Sequence, residues 1–286
     1  MAFLVQLLKA LLFGVIQGIT EWLPVSSTGH LILLHAVMPL ELYSEVPENL
    51  AFWQLFRTVI QLSSAIAAAV FFRARLWPFS PKRSESKRRG IFRLWMLMAI
   101  GGIPVIVLYF LSRDLIEARL SSPLVCAVSL IAFGLLFLLI ERKPKQAVMK
   151  SVGEISPKQG GICALCGLLS VIPGVTLTAP VITGELFLGF ARPMAAEFSL
   201  CLAIPVLFVI SLVKLFGMQI SVNLAGMLVL LVGFAAAFFS TLVVIKSFMH
   251  YVRRNDFRLF GLYRIVLGVL ILILAFMEIL PEVLTA

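Results

Sequence analysis

The sequence predicts an all-α polytopic membrane protein, with about six transmembrane helices plus two re-entrant helix pairs in an inverted repeat. Three observations predict it. The 286-residue chain is 61% hydrophobic and only 13% charged, where a soluble domain carries about a quarter charged residues. Its apolar runs reach about twenty residues, the length that crosses a bilayer core. Two of those runs are broken by proline, at Pro24 and Pro173, roughly half a chain apart. The net charge of +10 sits in the links between runs, where it sets topology and is no nucleic-acid signal. A single integral membrane domain over 1–286 is expected, with a first repeat of about 1–141 and a second of about 150–286. No cleavable signal peptide is expected: Lys9 lies inside the N-terminal apolar lead, and no small-residue cleavage site follows it.

The first run, to about residue 37, carries GVIQGITEWLPVSSTGHLILL over 14–34. A carboxylate, an amide, four hydroxyls and a histidine crowd into this otherwise apolar stretch. Gln17 and Glu21 are four apart, which puts both on one helical face. Pro24 cannot donate to the helix ladder and should break it. Ser26, Ser27 or Thr28 could cap a second helix, with His30 on its first turn or so. The start of that helix offers unpaired N–H groups to phosphate. A carboxylate at membrane depth is costly and usually functional, whereas the plain structural reading makes the hydroxyls caps and His30 an interface residue.

The loop that follows is acidic, without Lys or Arg. The next full span, about 51–72, carries Arg57 and Gln61 on one face. An arginine inside a span either faces an anion or snorkels to the interface. The segment RARLWPFSPKRSESKRRG is the most basic part of the chain and should be cytoplasmic. Spans are expected at about 93–112, where Gly101, Gly102 and Pro104 permit close packing or a kink, and at about 122–141. A charge-balanced link between them should lie outside, and ERKPKQAVMK returns to the basic side.

From about Ser156 the opening pattern recurs: an apolar run, a break at Pro173-Gly174, hydroxyls at Thr176 and Thr178, and a second apolar run. One broken pair is bounded by an acidic loop and the other by a basic loop, so they should enter from opposite faces. Spans at about 196–217, 221–246 and 258–280 complete the chain. The link HYVRRNDFR fits the cytoplasm and the acidic tail the outside. Glu197 stands at the start of one span and Tyr263 and Arg264 in another, and the plain structural reading of each is an interface anchor. Cys126, Cys163, Cys166 and Cys201 all lie in apolar runs and read as small core residues, with no disulfide framework expected.

The run GVIQGITEWLPVSSTGHLIL resembles the signature of the undecaprenyl-diphosphate phosphatase family, the bacitracin-resistance membrane phosphatases. That signature is E/Q-x-x-x-E followed by P-x-S-S-x-G-H, and Gln17, Glu21, Pro24, Ser26, Ser27, Gly29 and His30 match it. VIQLSSAIA, GGIP, AAEFSLCLAIP and LYRIVLG follow in the family's order, so the resemblance runs nearly the whole length. It implies hydrolysis of undecaprenyl diphosphate to the monophosphate carrier lipid for cell-wall synthesis, in the bacterial plasma membrane. The site would face the periplasm or the outer face. A divalent cation, Mg²⁺ or Ca²⁺, is implied, held by Gln17 and Glu21, whose oxygens suit a hard ion. Glu21, Ser27 and His30 would be catalytic, with Ser27 a hydroxyl at the phosphorus and His30 a base or nucleophile. Gln17, Ser26, Thr28, Gly29, Thr176 and Thr178 would bind substrate. The partners implied are the lipid and the membrane, with no nucleic acid; a homodimer stays open.

The second motif departs from the family pattern P-G-x-S-R-S-x-x-T. Thr176 and Thr178 stand for the serines, Leu177 for the arginine, Val181 for the threonine, and Gly167 aligns with an upstream glutamine. Leucine cannot imitate the bidentate fork with which arginine neutralises phosphate. Arg57 or Arg192 would have to bring charge from elsewhere. Two classes follow: a phosphatase whose first motif carries the chemistry, or a non-catalytic binder or translocator of a polyprenyl phosphate. The first is favoured because the first motif is complete.

Overall fold

The fold is that of a computed structural model, which describes residues 2–81, 83–142, 147, 149, 151 and 154–280. Helix α1 (Ala2–Thr20) ends at the first break, and α2 (Ser27–Val37) starts after it. A long α3 (Val46–Phe71) and a one-turn α4 (Arg73–Leu76) follow, then α5 (Glu85–Arg119) and α6 (Pro123–Arg142). The second broken pair is α7 (Pro157–Gly167), a 3₁₀ turn at Leu168–Val171, and α8 (Thr178–Phe187). Helices α9 (Arg192–Gly217), α10 (Leu224–Tyr251) and α11 (Arg258–Phe276) close the chain.

Seven of the described helices are long and apolar enough to cross a membrane, which makes this a multi-pass integral membrane protein. Six are the expected spans. The seventh is α1, whose 19 residues rise roughly 28 Å, close to a bilayer core. By contrast α2, α7 and α8 have 11, 11 and 10 residues, too few to cross alone. Large apolar side chains such as Leu111, Phe216, Phe239 and Val266 are exposed around the bundle, as a lipid-facing surface requires. The basic segment at 143–150 and the tail at 281–286 lie mostly outside the described residues.

Helices approach closely where side chains are smallest, since packing rather than hydrophobicity drives association in lipid. On α1, a Cβ at Gly18 would come 2.6 Å from the Ala237 carbonyl of α10. On α6 and α11, Gly134 and Gly261 face each other, and a Cβ on either would sit within 2.8 Å of the other's carbonyl. Buried hydroxyls add bolts: Ser63 donates to the Phe234 carbonyl at 2.6 Å, and Ser64 and Thr241 pair at 2.8 Å, joining α3 to α10. Helix contacts come in exchangeable pairs. α1 packs on α10 as α7 packs on α5, and α3 on α10 as α9 on α5. α2 lies against α11 as α8 lies against α6.

The two breaks meet at one side chain. Arg264 of α11 is fully buried, which corrects its reading as an interface anchor. Its Nη1 donates to the Pro24 carbonyl at 3.2 Å and its Nη2 to the Gly174 carbonyl at 3.0 Å. Broken helices leave such carbonyls without intrahelical donors, and the guanidinium supplies them. The guanidinium also lies over the Phe133 ring, 5.7 Å from its centroid. Arg192 and Glu197, in the first turns of α9, belong to the other end. Arg192 makes a two-pronged pair with Glu141 of α6, at 3.0 and 2.6 Å. Glu141 also accepts the Phe257 N–H at 3.1 Å, so α6, α9 and the link to α11 are tied together. Glu197 pairs with Arg75 at 3.1 Å. All four cysteines are free thiols.

Glu185 of α8 is fully buried, and neither carboxylate oxygen has a hydrogen-bond partner among the described residues. Arg264 and Glu185 are therefore expected to respond oppositely to neutral replacement. Arg264→Met should lower stability by about 3 kcal/mol, because two carbonyls lose their donors. Glu185→Gln should hold or raise it, because the site pairs neither carboxyl oxygen and a neutral amide can never bring a charge into it. Thermal midpoints in detergent check both.

Candidate active site

The last turn of α1 and the residue after it deliver Gln17 and Glu21 to the break, the Glu21 N–H still donating to the Gln17 carbonyl at 3.0 Å, as their spacing predicts. Both are buried, and Gln17 Nε2 donates to Glu21 Oε2 at 2.8 Å. The chain then turns through residues 21–25 and starts α2 from Ser26, which sits in left-handed backbone with φ 77°. Such a φ is uncommon for a residue with a Cβ. It is held by the cap, since the Ser26 hydroxyl accepts the Gly29 N–H at 3.3 Å. Ser27 is thereby the first residue of α2, beside Glu21.

Two chambers meet here. A polar one of about 340 Å³ is lined by Gln17, Gln54, Thr58 and Gln219 among others, and reaches the link after α9 at Met218 and Ile220. A more apolar one of about 200 Å³ runs between α2, α5, α9 and the second break, along Ile32, Val105, Val206 and Ile210. Glu21, Ser27, Thr28, Arg57, Gln61 and Lys214 line both. The junction is thus built of polar side chains alone. Arg57 faces this junction, which decides between the two readings of its place on α3. Its guanidinium lies 5.8 Å over the Trp53 ring. The Lys214 ammonium of α9 lies 5.4 Å over the Tyr109 ring. Gln61 accepts a hydrogen bond from Ser211 at 3.2 Å, which fixes α3 against α9.

The other expected residues divide. Thr176 and Leu177 line the apolar chamber, while Thr178 is buried behind them, its hydroxyl 3.4 Å from that of Thr176. A Cβ at Gly167 would lie 3.2 Å from Leu177 Cδ1, so two departures of the second motif are neighbours in space. His30 turns the other way, towards α11. Its Nδ1 lies 2.6 Å from the Ser26 carbonyl and its Nε2 2.6 Å from the Tyr263 hydroxyl. The two rings stack at 5.6 Å and 7°. A carbonyl only accepts, so Nδ1 carries the proton and Nε2 accepts from Tyr263. Gly29 packs the same way, its Cβ position 3.3 Å from Ile271. Ser26, His30 and Gly29 therefore shape the break and seat α2 on α11, and none of them lines either chamber.

Residues 10–270 match the bacitracin resistance protein BacA family. The chain belongs to that family. It is 36% identical to the undecaprenyl-diphosphatase of Enterococcus faecalis over 94% of this chain and 97% of that one. It is 40% identical to the undecaprenyl-diphosphatase of Streptococcus equi subsp. zooepidemicus, over 94% and 96%. The corresponding protein of Acetivibrio thermocellus is 34% identical, over 94% and 98%. In this BacA-family chain, sequence reasoning missed Lys214 as a lining residue. Its only signal was one cation in the last turn of an apolar helix, which an interface anchor would also give.

Two substitutions at Ser26 test the geometry of the break. Ser26→Gly keeps the left-handed backbone and loses the cap; Ser26→Ala loses both. The alanine variant is expected to be less stable than the glycine variant by about 1 kcal/mol, read from thermal midpoints of the two proteins in one detergent.

Proposed function

We propose that the chain hydrolyses undecaprenyl diphosphate, or a close polyprenyl diphosphate, to the monophosphate carrier lipid used in cell-wall synthesis. The observation that carries this reading is the junction. A polar chamber meets an apolar one at a carboxylate, two hydroxyls, an amide and two cations. Such a junction suits an amphipathic lipid whose charged head reacts where its tail begins. Membership of the BacA family and the names of its relatives point the same way.

In the mechanism we propose, the Ser27 hydroxyl attacks the terminal phosphorus while Glu21 accepts its proton. The bond to the bridging oxygen breaks, Glu21 passes the proton to that oxygen, and the polyprenyl monophosphate leaves. Water then attacks the phosphoserine, giving its proton to the Glu21 carboxylate, and Glu21 returns that proton to the serine oxygen as the P–O bond to Ser27 breaks and inorganic phosphate departs. Gln17 orients the carboxylate through its 2.8 Å hydrogen bond. Ser27 and Thr28 stand at the N-terminus of α2, whose unpaired N–H groups favour an anion. His30 and Tyr263 are positioning residues that hold α2 in register.

A divalent cation fits this donor set in a particular way. Among the described residues, no group of three His, Cys, Asp or Glu side chains could hold a metal. Glu21 and the Gln17 amide oxygen offer hard oxygen ligands, and Mg²⁺ bound through one or two carboxylates takes its remaining ligands from substrate phosphate and water. When bound, it would neutralise charge on the transferred phosphoryl group.

We also place the site on the face away from the cytoplasm, in an inverted repeat of 1–141 and 150–286. Helix α10 has 28 residues, roughly 42 Å, so its ends lie on opposite sides. The link before it, 218–223, borders the polar chamber and has no Lys or Arg, while the link after it is basic.

The test is phosphate release from undecaprenyl diphosphate by purified protein in detergent with Mg²⁺ or Ca²⁺. Glu21→Ala and Ser27→Ala should each lower kcat by about 10²-fold or more without shifting the thermal midpoint, and a chelator should stop release until metal is restored. Release by Ser27→Ala within about tenfold of the parent would remove the serine from its role.

A further inference from the structure

We propose that Arg57 and Lys214 together form the anchor for the diphosphate head, taking over the charge that the family pattern places where this chain has Leu177. The inference rests on the phosphatase reading for its substrate, and on the charges at the junction for its argument. The residues lining the two chambers include one carboxylate, Glu21, and two cations, Arg57 and Lys214, all at the shared wall. A diphosphate brings several negative charges into a place with little water, where each must be offset by a cation or a hydrogen-bond donor. Leu177 offers neither. It lines the apolar chamber and packs at the place where a side chain at Gly167 would stand.

The cations arrive on α3 and α9 rather than on the second break. Each is seated on an aromatic face, Arg57 over Trp53 and Lys214 over Tyr109. Trp53 is itself fixed, buried and stacked on His35 at 4.0 Å. The two seats thus aim one planar fork and one point charge at the same junction. An arginine grips two phosphate oxygens at once, and a lysine adds a movable charge beside it. Gln54 and Gln61 share the α3 wall and supply neutral amide donors. The anchor stands on α3 and α9 rather than at position 177, and the Thr176 hydroxyl stays at the second break.

A purely structural role for the two cations would show as lost stability, and a new arginine at 177 would not repair it. The experiment therefore pairs Arg57→Gln and Lys214→Gln with the same substitutions carrying Leu177→Arg. KM for undecaprenyl diphosphate is read by phosphate release, and Kd for a non-hydrolysable farnesyl methylene-diphosphonate is read by calorimetry. Each single substitution is expected to raise KM and Kd about 10-fold or more, and Leu177→Arg to reverse at least about threefold of that rise. Values within about twofold of the parent, or a rise that Leu177→Arg leaves unchanged, overturn the proposal. Should Arg57→Gln fail to fold, the pair built on Lys214→Gln, in the last turn of α9, decides it. A parent protein that releases no phosphate overturns the phosphatase reading instead, and the Kd comparison then decides the anchor by itself.

Discussion

One guanidinium holds this site together. A helix broken at membrane depth exposes carbonyls that its own ladder cannot satisfy. The chain has two such breaks, and Arg264 donates to a carbonyl in each, at Pro24 and at Gly174. Arginine suits the task because it keeps its charge and presents several donors in one plane. The start of α2, and with it Ser27, is thereby fixed relative to Thr176 and Leu177 on the far wall. Remove that group and each break becomes a separate loop, free to settle without reference to the other.

Buried charge serves two different ends in this protein. At one end, Glu141 is closed off by Arg192, by the Phe257 N–H and by the packing around them. That network joins three segments, and the cavity it borders is separate from the two chambers of the site. At the other, Glu21, Arg57 and Lys214 border open space. The first arrangement is a clasp, and the second is a receptor for charge that arrives from outside. The contrast explains why Arg192, which the sequence also offered as a source of positive charge, has no part in the site.

Hydropathy located the spans well, because burial in lipid writes a long unbroken signal. The run expected at 122–141 became Pro123–Arg142, and that at 196–217 became Arg192–Gly217. Helix α1 emerged as a seventh long helix because Pro24 lies beyond its end rather than inside it. Within the site, Gln17 and Glu21 were legible from a spacing of four, a local property of helices. The direction in which α2 faces was not. Which of Ser27 and His30 meets the cavity depends on the side that α11 covers, and α11 lies more than 200 residues away (His30 and Tyr263 are 233 apart). Arg264 misled for the same reason. A cation in the second turn of an apolar helix looks like an anchor until its partners, 240 and 90 residues distant, are known.

The contact between Gly134 and Gly261 gives the fold an uneven tolerance to genetic variation. These two backbones touch where no side chain intervenes, and Gly261 stands three positions before Arg264 on the same helix. An added methyl group there would lever α11 outward and carry the guanidinium with it. A residue facing neither chamber can therefore disable the site as surely as one that lines it. For a population of such proteins, neutral drift should be free on the lipid-facing leucines and almost frozen along this seam.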